Sequence, residues 1–228
     1  KRMSSTPVDV VLSRLLEGFV LNLQIFVVTL VGSLPLGLII MFGSRSRLGF
    51  RVFGRKFCPI RLLTRGFVWI IRGTPLMLQL IFVFYGPGLM GLTPIKSRVT
   101  ATLITFIINY AAYFSEIFRG GIDSIPRGQY EAGQVLGMTK PQVFFKVVLL
   151  QVIKRVTPSV GNEVITLVKD TSLSRIISVT EILFVADNYT RQGLLWPLFT
   201  TAAFFLLFNG LVTLALGRIE RKMDYFRA

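Results

Sequence analysis

Charged and amide side chains recur inside stretches of this 228-residue chain that are otherwise apolar, and their spacing is helical. Thr102, Thr105, Asn109, Tyr113 and Glu116 follow one another at intervals of three or four, so one face of a helix carries all five. Further on, Asn162, Thr166 and Lys169 share a face, with Glu163 and Asp170 beside them. Arg72 stands just ahead of Gly73-Thr74-Pro75, where proline breaks a helix. Ionisable groups at membrane depth cost several kcal/mol unless they are paired or turned to a wet cavity. The chemistry open to them is non-covalent: cations to hold a carboxylate, acidic or carbonyl groups to hold an ammonium, together a lining for a zwitterion. Glu163, Arg72, Asn109, Thr166 and Asp170 are the candidate solute-binding residues. Other duties are available to the same groups. Asn109, Thr105 and Thr166 could bond neighbouring helices, and Lys169 with Asp170 could form a pair that ends a helix. Arg72 could clamp a carboxylate in a bidentate pair or pair with Glu163 and gate a cavity.

Composition argues against bond chemistry in this chain. Histidine is absent and Cys58 is the single cysteine, which excludes an internal disulfide, a zinc site and His-based acid–base catalysis. No stretch fits Gly-x-x-x-x-Gly-Lys-Ser/Thr, and the Gly73-Thr74-Pro75 turn lacks the lysine of a phosphate-cradling loop. No catalytic residue, metal or cofactor is expected here, and any ATP used must be bound by another chain.

The elements that position these side chains are membrane spans. The chain is 52% hydrophobic with mean hydropathy +0.64 and 20 Phe, outside soluble usage. Five stretches approach the roughly 20 apolar residues of a span: 19–42, 67–85, 99–118, 152–168 and 194–217. The fourth is the weakest, because Lys154, Arg155, Asn162, Glu163, Lys169 and Asp170 crowd it. Lys and Arg outnumber Asp and Glu by 26 to 11, which on such a chain marks cytoplasmic loops rather than nucleic-acid binding. The loop with Arg45, Arg47, Arg51, Arg55, Lys56, Arg61 and Arg65 is therefore inside, and the one with Lys96 and Arg98 outside. The tail with Arg218, Arg221, Lys222 and Arg227 is inside, and by alternation the N-terminus is outside. Lys1 and Arg2 precede a run too long for a signal peptide and without a small-residue cleavage site, so it reads as a retained span. No repeat or composition shift divides the chain, and 1–228 reads as one all-α domain.

Between the third and fourth spans lies a polar segment, 126–150, inside by the same alternation. Pro126 and Gly128 are expected to end the helix entering it. Tyr130 to Leu136 can make two helical turns, Gly137 permits a sharp turn, and Thr139 before Pro141 is an N-cap. Val143, Phe144, Val147 and Val148 give the second short helix an apolar face. A hairpin on the inner membrane surface would explain that face but not Glu131-Ala132 on a helix bracketed by glycines. Small residues let a helix enter a cleft, and a carboxylate can pair with basic groups of a partner.

This pattern, Glu131-Ala132, then Gly137, then Val147-x-Leu149, resembles the EAA loop of bacterial ABC importer permeases. It departs from the family with Gly133 for a second Ala, Val147 for Ile and Leu150 for Pro. Arg72-Gly73-Thr74-Pro75-Leu76 with Gln79 and Phe84-Tyr85-Gly86 resembles the second span of the polar amino acid permeases, those of histidine, glutamine, arginine and cystine systems. Ala111-Ala112-Tyr113 through Glu116-Ile117, Arg119-Gly120-Gly121-Ile122 and Ile125-Pro126-x-Gly128-Gln129-x-Glu131-Ala132 resembles their lead into the loop. Asn162-Glu163 and Lys169-Asp170-Thr171-Ser172-Leu173 resembles their fourth span. The resemblance implies the type I importer transmembrane fold, five spans plus a cytoplasmic coupling helix, in a bacterial cytoplasmic membrane. It implies coupling through Glu131, Ala132, Gly137, Tyr130 and Gln134 to an ATPase subunit that carries ATP and Mg. It also implies a second permease copy or paralogue and an extracytoplasmic amino-acid-binding protein. An ion-coupled transporter or channel is the rival; it predicts inverted halves with matched broken helices, which are not visible here.

Overall fold

The computed structural model describes residues 7–52 and 55–223; Lys1, Arg2 and Arg227 lie outside them. Among the described residues the regular structure is helical except for one small hairpin, which the sequence pattern does not show. α1 is Val8–Arg45, β1 Phe50–Val52, β2 Arg55–Phe57, α2 Pro59–Gly73, α3 Leu76–Leu89, α4 Arg98–Asp123 and α5 Arg127–Val135. α6, Lys140–Val143, runs through a π-turn, Phe144–Val148, into α7, Leu149–Asp170; a 3-10 turn, Thr171–Ile177, leads to α8, Ile182–Thr190, and α9, Trp196–Lys222. β1 and β2 pair antiparallel with Phe50 opposite Phe57, whose rings stand 5.5 Å apart.

α1, α4 and α9 are each long and apolar enough to cross a membrane, and α2 with α3 qualifies as a broken pair. The expected span 67–85 is thus two helices, because Pro75 cannot continue α2 and instead caps α3. α7 is a 22-residue helix in the place of the fourth span; its charges keep its hydropathy low. At 1.5 Å per residue, the 38 residues of α1 extend about 57 Å, well beyond the 19–42 stretch. Asp9 in its first turn and Arg45 in its last complement the helix dipole.

The chain separates into two compact units. The first holds the start of α1 to Val31, Thr74–Ile107 and Val164–Thr213. Val11 and Leu15, one turn apart on α1, are buried against Ile182, Ala186 and Tyr189 of α8. Gly18 makes this approach possible: a Cβ there would lie 2.7 Å from the Ile182 backbone nitrogen. The second holds Gly32–Gly73, Ile108–Glu163 and the chain from Leu214. There Leu36 and Ile40 of α1 pack on Val68 and Ile71 of α2 and on Ala111 and Ala112 of α4. Most of α9 is uncovered, with Phe199, Leu206, Leu207 and Leu211 exposed, the surface that a lipid-facing helix presents.

Candidate functional site

α5 and α6 form a corner in the second unit. At the end of α5, Gly137 takes φ +72°, and the Met138 and Gly137 amides donate to the Gly133 and Gln134 carbonyls at 3.0 and 2.9 Å. That pair of bonds is a Schellman stop, and the positive φ is what glycine supplies. Thr139 caps α6, with its amide donating to the Gln142 side chain at 2.8 Å. Gly128, expected to end the preceding helix, does not: α4 stops at Asp123, Pro126 caps α5, and Gly128 lies in α5's first turn without positive φ. Proline at the cap costs no hydrogen bond, so the helix starts through Gly128.

The corner has an inner and an outer side. Tyr130, half-buried, packs with Ile125, Val143, Val148, Val152 and Val156. Gln151 of α7 donates to the Gln129 side chain at 3.0 Å, and Arg155 donates to the Ser124 carbonyl. Outward face Glu131, Ala132 and Gln134, while Val135 and Leu136 are 87% and 78% exposed. The α5 helix, packed from behind, thus leaves two aliphatic side chains uncovered next to the Glu131 carboxylate. The second short helix does not stop near Leu150; it continues into α7, so corner and helix are one lever. The π-turn at Phe144–Val148 absorbs one extra residue where the helix leaves the corner.

A cavity of about 550 Å³ opens in the same unit between α2 and α4, lined by Arg65, Val68, Trp69, Arg72, Tyr113, Glu116 and Arg119. Arg119 holds Glu116 with two bonds, 3.0 Å from Nε to Oε1 and 2.6 Å from Nη2 to Oε2. Arg72 reaches the same carboxylate at 3.7 Å and lies over the Tyr113 ring, 5.1 Å from its centre. Arg119 also donates to Asp123 at 3.1 Å, and Arg45 pairs with Asp123. The result is an alternating ladder, Arg72–Glu116–Arg119–Asp123–Arg45, that descends α4 towards the corner.

The family of binding-protein-dependent transport system inner membrane components matches this chain over residues 33–225. The chain belongs to that family. It is the permease subunit of an ABC importer in an inner membrane, which associates with another permease and with a separate ATPase that hydrolyses ATP. The glutamine permease GlnP of Escherichia coli (strain K12) is 33% identical over 215 residues, 92% of each chain. The L-cystine permease TcyB of Bacillus subtilis (strain 168) is 37% identical over 178 residues, 76% of this chain and 74% of that one. An amino acid ABC transporter crystallised with histidines superposes with a TM-score of 0.80 at 28% identity, over 92% of this chain and 94% of its own. The methionine transporter MetNI, inward-facing, shares the fold at a TM-score of 0.69 and 18% identity, over 96% of this chain and 99% of its own.

Of the solute-binding candidates of this permease, Arg72 lies in the cavity, together with Tyr113 and Glu116 of the expected polar face. Asn109 is buried on α4, and Glu163, Thr166 and Asp170 are half-buried on α7; none of the four lines that cavity. Thr102 and Thr105 donate to the Arg98 and Ala101 carbonyls one turn back, the use that needs no solute.

One polar cluster escaped the sequence reading. In the first unit Glu181 is fully buried and caps α8, accepting from Leu183 and Phe184 amides at 2.9 and 2.7 Å. Asn22 of α1 donates to Glu181 at 3.2 Å and to Thr171 at 2.9 Å, and accepts from the Ile182 amide at 3.1 Å. The signal was available: Glu181 is the lone acidic residue between Asp170 and Asp187.

Proposed function

We propose that this permease carries polar amino acids inward by alternating access, paired with a second copy or a paralogue, each bound to one ATPase. The exposed Glu131–Leu136 plug, packed through Tyr130 on Val143, Val148 and Val152 of the continuous α6–α7 helix, carries this reading, since motion at the plug is passed to α7 through that contact. Tyr130 anchors it, Glu131, Ala132 and Gln134 meet the ATPase, and Gly137 sets its angle. ATP and Mg sit on the ATPase; closure of the two ATPases draws the plugs together and turns the path outward, where an extracytoplasmic binding protein delivers the solute. Support for amino acids comes from the relatives named for glutamine and cystine transport and from the motif resemblance. Glu163, Asn109, Thr166 and Asp170 on α4 and α7, with Arg72 in its cavity, are the proposed solute contacts. The proposed topology has five spans, counting α2–α3 and α7 as one each, with the N-terminus outside and the C-terminus cytoplasmic.

The test is ATP-driven uptake of labelled amino acids into vesicles holding the permeases, their ATPase and the binding protein. Glu131→Lys should abolish uptake and ATPase capture while the purified permease keeps its melting temperature. Undiminished uptake without ATPase would sink the reading.

A further inference from the structure

Between the end of α1 and the middle of α2 the chain gathers cations that no acid nearby in sequence offsets. Arg47, Arg51, Arg55, Lys56, Arg61 and Arg65 crowd this stretch, and positions 46–115 contain neither Asp nor Glu. Arg47, Arg61 and Arg65 are exposed and form no ion pair among the described residues. The hairpin register sets Arg51 opposite Lys56, and like charges across a ladder repel. A lone two-stranded hairpin is marginal in water even without that penalty. An anion beside it would relieve both. The same surface is also apolar. Phe50 and Phe57, opposite one another in the ladder, are exposed, and Leu48 ahead of β1 and Leu63 in the second turn of α2 are 72% and 73% exposed. The core side of α2 is carried by Val68 and Ile71 instead.

We infer that the β1–β2 hairpin and the first two turns of α2 form a docking surface for the anionic phospholipid of the inner leaflet. Arg47 and Arg61 draw the headgroup phosphates, and Leu48, Phe50, Phe57 and Leu63 enter the boundary with the acyl chains. Guanidiniums among aromatic and aliphatic tips, on a loop that joins two spanning elements, match that boundary in both polarity and charge. An ATPase surface would meet the basic residues but leave the apolar ones in water, so lipid is the better fit. The inference rests on the five-span topology above, which turns this loop to the cytoplasmic face.

Cys58, the single cysteine, sits between β2 and α2 and takes a local probe. The permease is labelled there with bimane, joined to its ATPase and placed in phosphatidylcholine nanodiscs. Quenching by nitroxide-labelled phosphatidylglycerol is then compared with quenching by nitroxide-labelled phosphatidylcholine at the same fraction. Phosphatidylglycerol is expected to quench about threefold more strongly, with the gap narrowing as salt is raised. Arg47→Gln/Arg61→Gln should bring the two lipids to near parity, Arg47→Lys/Arg61→Lys should keep the gap, and Phe50→Ala should weaken quenching by both alike. Parity in the parent, or a gap unmoved by the double Gln change, overturns the inference. Loss of ATPase capture in that variant with the gap intact also overturns it and assigns the cations to the ATPase. Reaction of Cys58 with an impermeant maleimide added outside spheroplasts removes the topology and the inner-leaflet assignment with it; a shielded Cys58 with parity removes the lipid contact alone.

Discussion

Gly133 lies so close to Val143 that a Cβ on it would meet Val143 Cγ2 at 2.5 Å. The glycine occupies the position where the family usually carries a second alanine, and the reason is local. Val143 is buried to 2% exposure at the first turn of the lever, and its branched side chain fills the space an alanine methyl would need. Gly133→Ala gains helix propensity of about 1 kcal/mol but forces a packed core to move, at a cost of about 1–3 kcal/mol. The melting temperature should fall for Gly133→Ala and recover in Gly133→Ala/Val143→Ala relative to the sum of the two single changes. Additive losses would separate the two residues.

Two glycines of the corner should behave oppositely. Gly137→Ala must hold φ near +72°, at a cost of about 1–2 kcal/mol, and loosens the Schellman stop that sets the plug's angle. Gly128 is helical, and a Cβ added to it would meet nothing within 4 Å, so Gly128→Ala should be neutral or raise stability by up to about 1 kcal/mol. Thermal melts read stability; ATPase capture should weaken for Gly137→Ala and stay unchanged for Gly128→Ala.

What sequence could reach follows from the range of each interaction. The long apolar helices and the Gly137 turn are decided within one turn of chain, and 19–42, 99–118 and 194–217 fall on helices that mostly extend further at the ends. Those extensions depend on packing, as for Val11 and Leu15 on α8, partners about 170 residues away in the chain. The Gly128 misreading has the same root: glycine permits a break, and Pro126 as a cap decides against one. At the cavity, Arg72 was legible as a cation at depth, but its partner was not, because Glu163 and Glu116 are equally available to a sequence and only α4 brings one to 3.7 Å.

The ladder on α4 should respond unequally to neutralisation. Asp123 is 47% exposed, so Asp123→Asn should cost less than about 1 kcal/mol, as exposed pairs do. Glu116 is 23% exposed and is the one carboxylate facing three guanidiniums, so Glu116→Gln should destabilise more and should make stability rise with added salt. Melting temperatures at low and high ionic strength separate the two; equal losses, or no salt response in Glu116→Gln, would contradict the ladder.

Glu181 makes the first unit's stability depend on pH. It lies outside the apolar spanning helices, and burial pushes its carboxyl up to about 7 from the usual 4.5, against the pull of bonds from the Leu183 and Phe184 amides and Asn22. A raised folded-state value means that the folded chain binds the proton more tightly than the unfolded chain. Stability from this group is therefore complete below about pH 4.5, declines as pH rises towards 7, and is lost above 7. The full swing is at most about 3.4 kcal/mol at 1.36 kcal/mol per unit. Glu181→Gln cannot titrate, so its melting temperature should be flat across this range where that of the parent falls. It should also be lower overall, because the amide nitrogen faces a backbone donor where a carboxylate oxygen accepted one. Asn22→Ala supplies the second arm: it removes the side chain that bridges α1 to Thr171 and Glu181, leaves the acid in place, and should lower the melting temperature while keeping the pH slope. A slope that survives Glu181→Gln would assign the titration to another group.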